Sequence, residues 1–310
     1  MRVAAIDLGT NTTRLLVADV NAERVEEISR RTAITRLGEG VDGRRRLLPL
    51  PIARVRNVLA DYRRELESLG AERTLAAATS AVRDAENGGA FLGELEWSYG
   101  FTTRLLSGEE EADLTLRGVG EAGHDALVVD IGGGSTELIG AGTRISTELG
   151  SVRLTERFLL SDPPTEGELD ALGAATRSVL AEQVPEELTA RRAIGVAGTI
   201  TSLAALDLGL VEYDRHRVHG HRLGDAAVEA QLERLAALPL AERRRVPGLE
   251  PERAPVIVAG AVVLREVLRH FGLSSIEASE RDILHGIALE AAALPVPVEG
   301  DAPPGAYTCC

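Results

Sequence analysis

Asp130 closes an apolar run, Leu127-Val128-Val129, and after one isoleucine come Gly132-Gly133-Gly134-Ser135-Thr136. The run lacks a helical period and reads as a strand buried on both faces. Glycines let a backbone approach a ligand closely, so consecutive N–H groups can converge on an anion. Ser135 and Thr136 add hydroxyl donors. A carboxylate beside such a nest repels the anion unless a divalent cation bridges the two. These residue types point to phosphate held with a metal ion, although a glycine-rich hairpin turn accounts for the same letters.

A second copy decides between them. Residues 3–16 align without a gap to 126–139 at an offset of 123, placing Asp7 on Asp130, Gly9 on Gly132, Thr12 on Ser135 and Thr13 on Thr136. A fainter echo at offset 120 sets Ala78-Thr79-Ser80 against Gly198-Thr199-Ile200. Two strand–turn–strand units, each followed by its own small-residue loop, imply a duplicated α/β domain. Both copies carry an aspartate where metal or phosphate would sit, so one shared cleft between the halves is expected. At the position of Glu137 the first copy has Arg14, so the halves have diverged there to opposite charges.

Five segments, I-D-L-G-T-N-T-T-R-L-L, T-S-A-V-R-D-A-E-N, S-G-E-E-E-A, D-I-G-G-G-S-T-E-L and G-V-A-G-T-I-T-S-L, occur in that order. They resemble the motifs of the exopolyphosphatase/guanosine pentaphosphatase (Ppx/GppA) family, over nearly the whole chain. The resemblance implies the actin, sugar kinase and heat-shock ATPase (ASKHA) fold: two duplicated actin-like, ribonuclease H-like α/β domains with an interdomain active-site cleft. It implies a phosphoanhydride hydrolase, an exopolyphosphatase acting on inorganic polyphosphate, with pppGpp 5′-hydrolysis as the alternative. A nucleotide-binding switch or sugar kinase of the same fold is a third reading. It is disfavoured because phosphate transfer to a bound acceptor has no use for a water-activating glutamate. The chain shows no sequence for the further C-terminal domains of longer members, so short polyphosphate is the expected substrate. A homodimer is also implied.

The parts needed for such hydrolysis can be assigned. Asp7 and Asp130 would hold Mg²⁺, with Mn²⁺ as substitute, directly or through water. Gly9, Thr10 and Asn11, then Gly132, Gly133, Gly134 and Ser135, with Gly198 and Thr199, would bind phosphate oxygens. Arg14 and Arg83 would add guanidinium donors. Without the resemblance, Arg83 reads as a surface arginine. The family pattern S-G-x-E-E-A assigns the catalytic base to the glutamate before alanine, here Glu111. Glu109 and Glu110 then serve as helix N-terminal charge. Glu137 would help to position the water.

At 310 residues, two domains are the natural division. They are expected at 1–118 and 119–293, joined near 118–123, with a loose tail at 294–310. No apolar run nears the roughly 20 residues needed to span a bilayer, and Met1-Arg2 leads straight into a strand, so no membrane partner and a cytoplasmic location are expected. Cys309 and Cys310 end the tail and have no metal spacing. Every basic residue is arginine, which excludes a Walker-A or Schiff-base lysine. A net charge of −14 argues against nucleic acid as a partner. It leaves room for a local basic groove at Arg215 to Arg222 or Arg243-Arg244-Arg245, which solvated loop charges explain equally well.

Strands are predicted over 3–6, 13–19 and 24–30, a short one over 32–37, then a loop over 38–49. Ile52, Val55, Val58, Leu59, Tyr62, Leu66 and Leu69 mark one face of a helix, and Gly70 stands where its C-cap belongs. A strand over 74–78 delivers the loop to Arg83, and another covers 101–105. Ser107 with Glu110, and Thr165 with Glu168, are capping boxes opening helices toward Arg117 and Gln183. A strand over 193–196 leads through a tight turn at Gly198-Thr199 to a helix near Ser202. Helices over 225–238 and 255–271, a strand over 275–278 and a last helix over 282–293, expected on the first domain, complete the chain.

Overall fold

The computed structural model describes residues 1–120, 122–123, 125–140 and 142–295. The chain divides into two units, Met1–Val119 with the segment that begins at Ile283, and Gly120–Asp282.

The first unit is built on a five-stranded sheet, β1 (Arg2–Leu8), β2 (Thr12–Asn21), β3 (Arg24–Ile34), β4 (Arg73–Ala78) and β5 (Thr102–Leu105), ordered β3-β2-β1-β4-β5. β1 runs antiparallel to β2 and parallel to β4, and β4 is parallel to β5. Helices α1 (Val41–Arg44), α2 (Pro49–Ser68), α3 (Ser80–Asp84), α4 (Gly88–Tyr99) and α5 (Gly108–Val119) fill the connections.

The second unit repeats that plan. β6 (Ala126–Ile131), β7 (Thr136–Gly140) and β8 (Thr143–Thr147) form a meander; β9 (Arg192–Val196), β10 (Arg222–Gly224) and β11 (Ser275–Ala278) extend it to the order β10-β11-β9-β6-β7-β8. Read from β8, the order matches the first sheet strand for strand, with β10 added at the far edge. The helices are α6 (Ser151–Phe158), α7 (Glu166–Gln183), α8 (Ala197–Asp207), α9 (Arg215–Val218), α10 (Asp225–Ala236), α11 (Leu240–Arg243) and α12 (Ile257–His270). α13 (Ile283–Ala293) then returns to the first unit. This is the duplicated α/β plan that the offset repeat implied. No helix among the described residues is long and apolar enough to cross a membrane.

β1 shows why the central strands are apolar throughout. Ala4, Ile6 and Leu8 pack with Val55, Leu59 and Tyr62 of α2 on one face, while Val3 and Ala5 pack with Leu284, Ile287 and Ala288 of α13 on the other. A strand covered on both sides has no polar face to alternate with. α13 and α5 cross at backbone distance: a side chain on Gly286 would collide with the Leu114 carbonyl.

Some boundaries differ from expectation. Strand β3 is continuous through Ile34 because the ladder to β2 runs from Asn21↔Arg24 to Thr12↔Ile34, absorbing an irregularity at Val17/Ala18. Its polar letters reflect an edge strand facing water, not a break. The 38–49 loop holds the single turn α1, and α8 starts at Ala197, so Gly198 and Thr199 belong to a helix rather than a preceding turn. Both capping boxes form, with reciprocal Ser107–Glu110 and Thr165–Glu168 hydrogen bonds. Gly70 adopts φ +71° after α2. Cys309, Cys310 and the tail from 296 lie outside the described residues.

The α13–α5 contact gives a direct test of how the last helix is held. Gly286→Ala is expected to cost about 1–3 kcal/mol through overpacking, seen as a lower urea midpoint at unchanged slope.

Candidate functional site

Parallel strands place their carboxyl ends on one edge of a sheet, where α/β proteins bind ligands. In the first unit that edge carries the turn after β1, α3 after β4 and the loop into α5 after β5. In the second it carries the turn after β6 and the start of α8 after β9. Each group of candidate residues therefore collects at one edge of its own sheet.

The two turns share one construction. Gly9 N donates to Thr12 O at 2.9 Å and Gly132 N to Ser135 O at 3.0 Å. An added Cβ at either glycine would come within 3.1 or 3.2 Å of that same carbonyl oxygen. In the first turn, Thr10 O accepts from Gly38 N at 2.8 Å, and Asn11 O from Thr35 N and Arg36 N at 3.1 and 3.0 Å. In the second, Gly132 O accepts from Ser151 N at 3.0 Å and Gly133 O from Val152 N at 2.8 Å. Gly134 O accepts from Arg153 Nε at 2.9 Å. C=O and N–H of a trans peptide point in opposite directions. With the carbonyls of Gly132, Gly133 and Gly134 drawn to α6, the amides of Gly133, Gly134 and Ser135 all face away from it. A shared amide direction is what an anion nest requires.

Arg153, 7% exposed, and Gly150 were not anticipated from the sequence. A side chain on Gly150 would collide with Gly133 and Gly134, so the turn rests directly on the residue before α6. The G-S-V-R segment after β8 was the available signal.

Behind the turns lie matched rows across the strands. Asp7 stands opposite Arg14, which stands opposite Thr32; Asp130 stands opposite Glu137, which stands opposite Ser146. Arg14 Nε and Nη2 both reach Asp7 Oδ2, at 2.8 and 2.7 Å. The phosphate donor and metal ligand expected here are thus joined as a partly buried ion pair. Glu137, 1% exposed, accepts a 2.7 Å hydrogen bond from Ser146 Oγ.

The three acids opening α5 divide by environment. Glu109 is exposed. Glu110 closes the capping box and also binds Arg104 Nη2 at 2.5 Å. Hydrogen bonding from the Ser107 backbone, then Arg104, lowers its pKa to about 2. Glu111 turns inward, 8% exposed, with Oε2 3.3 Å from Arg83 Nη1. The same Nη1 donates to Leu106 O at 2.7 Å. Among the described residues, Arg83 Nε and Nη2 carry no hydrogen bond. Arg83 is therefore fixed beside Glu111 with donors to spare.

At the end of β9, Ala197 opens α8 with φ +66°, a left-handed conformation that costs alanine energy. The Arg253 guanidinium presses against Gly198 where a side chain would stand. The charged run at 250–253, just before α12, was its only trace in the sequence. Thr199 is buried against Gly260.

Part of the suggested basic groove is occupied by internal contacts. Arg243 is buried and donates to the carbonyls of Leu235, Leu238 and Ala254. Arg215 lies 3.6 Å from Glu280, and His221 Nε2 lies 2.6 Å from Asp207. Arg217, Arg222, Arg244 and Arg245 remain exposed. Among the described residues, no group of three or more His, Cys, Asp or Glu side chains is arranged to hold a metal ion.

A model of the Ppx/GppA phosphatase family matches residues 16–293. Exopolyphosphatase 2 of Mycobacterium tuberculosis is 40% identical over 315 residues, spanning 94% of this chain and 98% of that protein. A crystal structure of an exopolyphosphatase-like protein superimposes with a TM-score of 0.87 at 34% identity, over 94% of this chain and 98% of the other. The Aquifex aeolicus member of the Ppx/GppA family gives 0.78 at 30% identity, over 94% and 98%.

The α5 acids yield a pH test. A depressed carboxylate pKa contributes stability above the unfolded value, 4.5, and loses it as pH falls toward about 2. Glu110→Ala should be less stable than wild type at pH 7 by about 1 kcal/mol, typical of a lost cap. In denaturant titrations that difference should close between pH 4.5 and 2.

Proposed function

The chain belongs to the Ppx/GppA phosphatase family, and on that premise we propose that it releases terminal orthophosphate from short inorganic polyphosphate by attack of water. Water forms a bond to the terminal phosphorus as the bridging P–O bond breaks, and the shortened chain leaves on its own oxygen. Glu111 accepts the proton that water gives up. Arg83 supports this role because a neighbouring cation favours the ionised carboxylate, and its remaining N–H groups are available to phosphate oxygens. Glu137 orients the water. The amides of Gly133, Gly134 and Ser135, the turn at Gly9, Thr10 and Asn11, and the α8 start at Gly198 and Thr199 receive phosphate oxygens, with Arg14.

The residues fit a hard divalent cation. Asp130 and Glu137 face one another on adjacent strands and offer carboxylate oxygens of the kind Mg²⁺ takes. Asp7 is bound by Arg14 through two nitrogens, so taking a cation would cost it part of that pairing. Asp130 with Asp7 would hold Mg²⁺, or Mn²⁺, which when bound would offset the charge of the phosphates.

The observation that carries this reading is the separation of Glu111 from its neighbours: of three adjacent acids, it alone is buried beside a guanidinium. Glu111→Gln keeps the size of the side chain but cannot take a proton. Phosphate release should fall at least about a hundredfold with KM little changed, while Glu109→Gln stays near wild type. Near-wild-type turnover in folded Glu111→Gln would move the base to Glu137. The same colorimetric assay on short polyphosphate, chains of hundreds of units, pppGpp and ATP separates the substrates. Faster turnover of long chains or of pppGpp would overturn the short-polyphosphate assignment, and release from none would favour a kinase or switch.

Activity should disappear in excess EDTA and return with Mg²⁺, and Asp130→Ala should remove most of it in a folded protein. Full activity in EDTA would refute the cation's role.

A further inference from the structure

We propose that Arg44, Arg45 and Arg46 form a docking platform for the phosphates that trail behind the reacting end of a polyphosphate chain. The inference deepens the hydrolase reading and rests on it for its effect on turnover. The three arginines close α1 and lead into the loop after it, and all three are exposed. Among the described residues, none of their side chains makes a hydrogen bond or an ion pair, and neither Asp42 nor Glu86 neutralises them. In a chain of net charge −14, three adjacent unpaired cations reverse the local sign. Concentrated positive charge beside a site draws in a polyanion.

The backbone of this triad is fixed to the segment that carries Arg83. Val41 and Leu47, on either side of it, are buried in one apolar cluster with Ala81, Val82 and Ala85. Arg45 O accepts from Glu86 N at 2.9 Å. Leu47 N donates to Asn87 Oδ1 at 2.8 Å, and Leu47 O accepts from Asn87 Nδ2 at 3.1 Å. Glu86 follows Arg83 by three residues, at most about 11 Å of extended backbone. The triad therefore stands beside a guanidinium already assigned to phosphate. Arg45 takes φ +53°, the left-handed conformation in which a helix ends most cheaply on glycine or asparagine. Ending α1 gives no reason for an arginine there. A polyphosphate carries negative charge on every unit, and guanidinium forks match phosphate oxygens.

The test uses a triple variant, Arg44→Gln with Arg45→Gln and Arg46→Gln. Its control, Arg24→Gln with Arg191→Gln and Arg234→Gln, removes the same charge from exposed positions elsewhere. Both are checked for an unchanged melting transition. On polyphosphate chains of tens of units, KM should rise about eightfold in the first variant, from three exposed ion pairs of about twofold each, with kcat within about twofold. The KM ratio to wild type should grow with chain length from tripolyphosphate upward, then level off once the chain covers all three arginines. The control should stay within about twofold of wild type at every length. Independently of turnover, calorimetric titration of the same chains into a Glu111→Gln background should show the same loss of affinity. Affinity should also fall less steeply with salt in the triple variant, because fewer ion pairs form. Binding as tight as wild type in that variant, or an equal loss in the control, would overturn the proposal. If the wild type releases no phosphate from any substrate, the hydrolase reading falls, and the titration still decides whether the triad binds polyphosphate.

Discussion

A buried peptide carbonyl must be hydrogen-bonded, and in the two glycine turns the position of the donor decides which way the amides face. In the second turn the donors are Ser151, Val152 and Arg153 at the start of α6. Because a trans peptide opposes its C=O and N–H, satisfying one side of the turn aims the other. The glycines allow α6 to approach this closely, and Gly150 is bare because the turn lies against it. The first turn reaches the same result with a different partner, the loop at 35–38, where Gly38 is bare because Thr10 fills its side-chain space. The nest is a property of two segments packed together, not of the glycine run alone.

The duplication preserves geometry and exchanges chemistry. Asp7 and Arg14 occupy the same register as Asp130 and Glu137, at the same place behind the same turn. In one half the aspartate is neutralised by a guanidinium bound through two nitrogens; in the other it faces a second carboxylate. Two buried acids in register are unfavourable without a compensating group. In the second half a hydroxyl, Ser146 Oγ, donates to Glu137.

The three glutamates of α5 show how one cluster of like charges is divided by packing. The helix start has a single capping position, and Glu110 takes it, with Arg104 as a second partner that also binds Glu290 of α13. One residue further, the helix turns the side chain inward, where Arg83 meets it. Burial of Glu111 is tolerable because that guanidinium is held in place by Leu106 O. Had Glu111 served as the cap, burial beside Arg83 would not have been open to it.

By itself the sequence determined the repeat, the strand–turn–strand register behind Asp7 and Asp130, both capping boxes and the helix end at Gly70. All depend on neighbours a few residues apart or on a periodic pattern, so they survive in a linear reading. Tertiary structure decided what depends on contacts across long separations. Arg14 and Arg83 looked alike as phosphate donors, yet one is paired with an aspartate and the other with a glutamate. Arg243 looked like part of a basic groove and instead donates to three backbone carbonyls. Arg153 and Arg253 left only a short segment or a charged run as a trace, because the residues they serve arrive from other elements. An arginine's letter is the same whether it faces water, a carboxylate or a backbone oxygen; only packing supplies the partner that fixes its role.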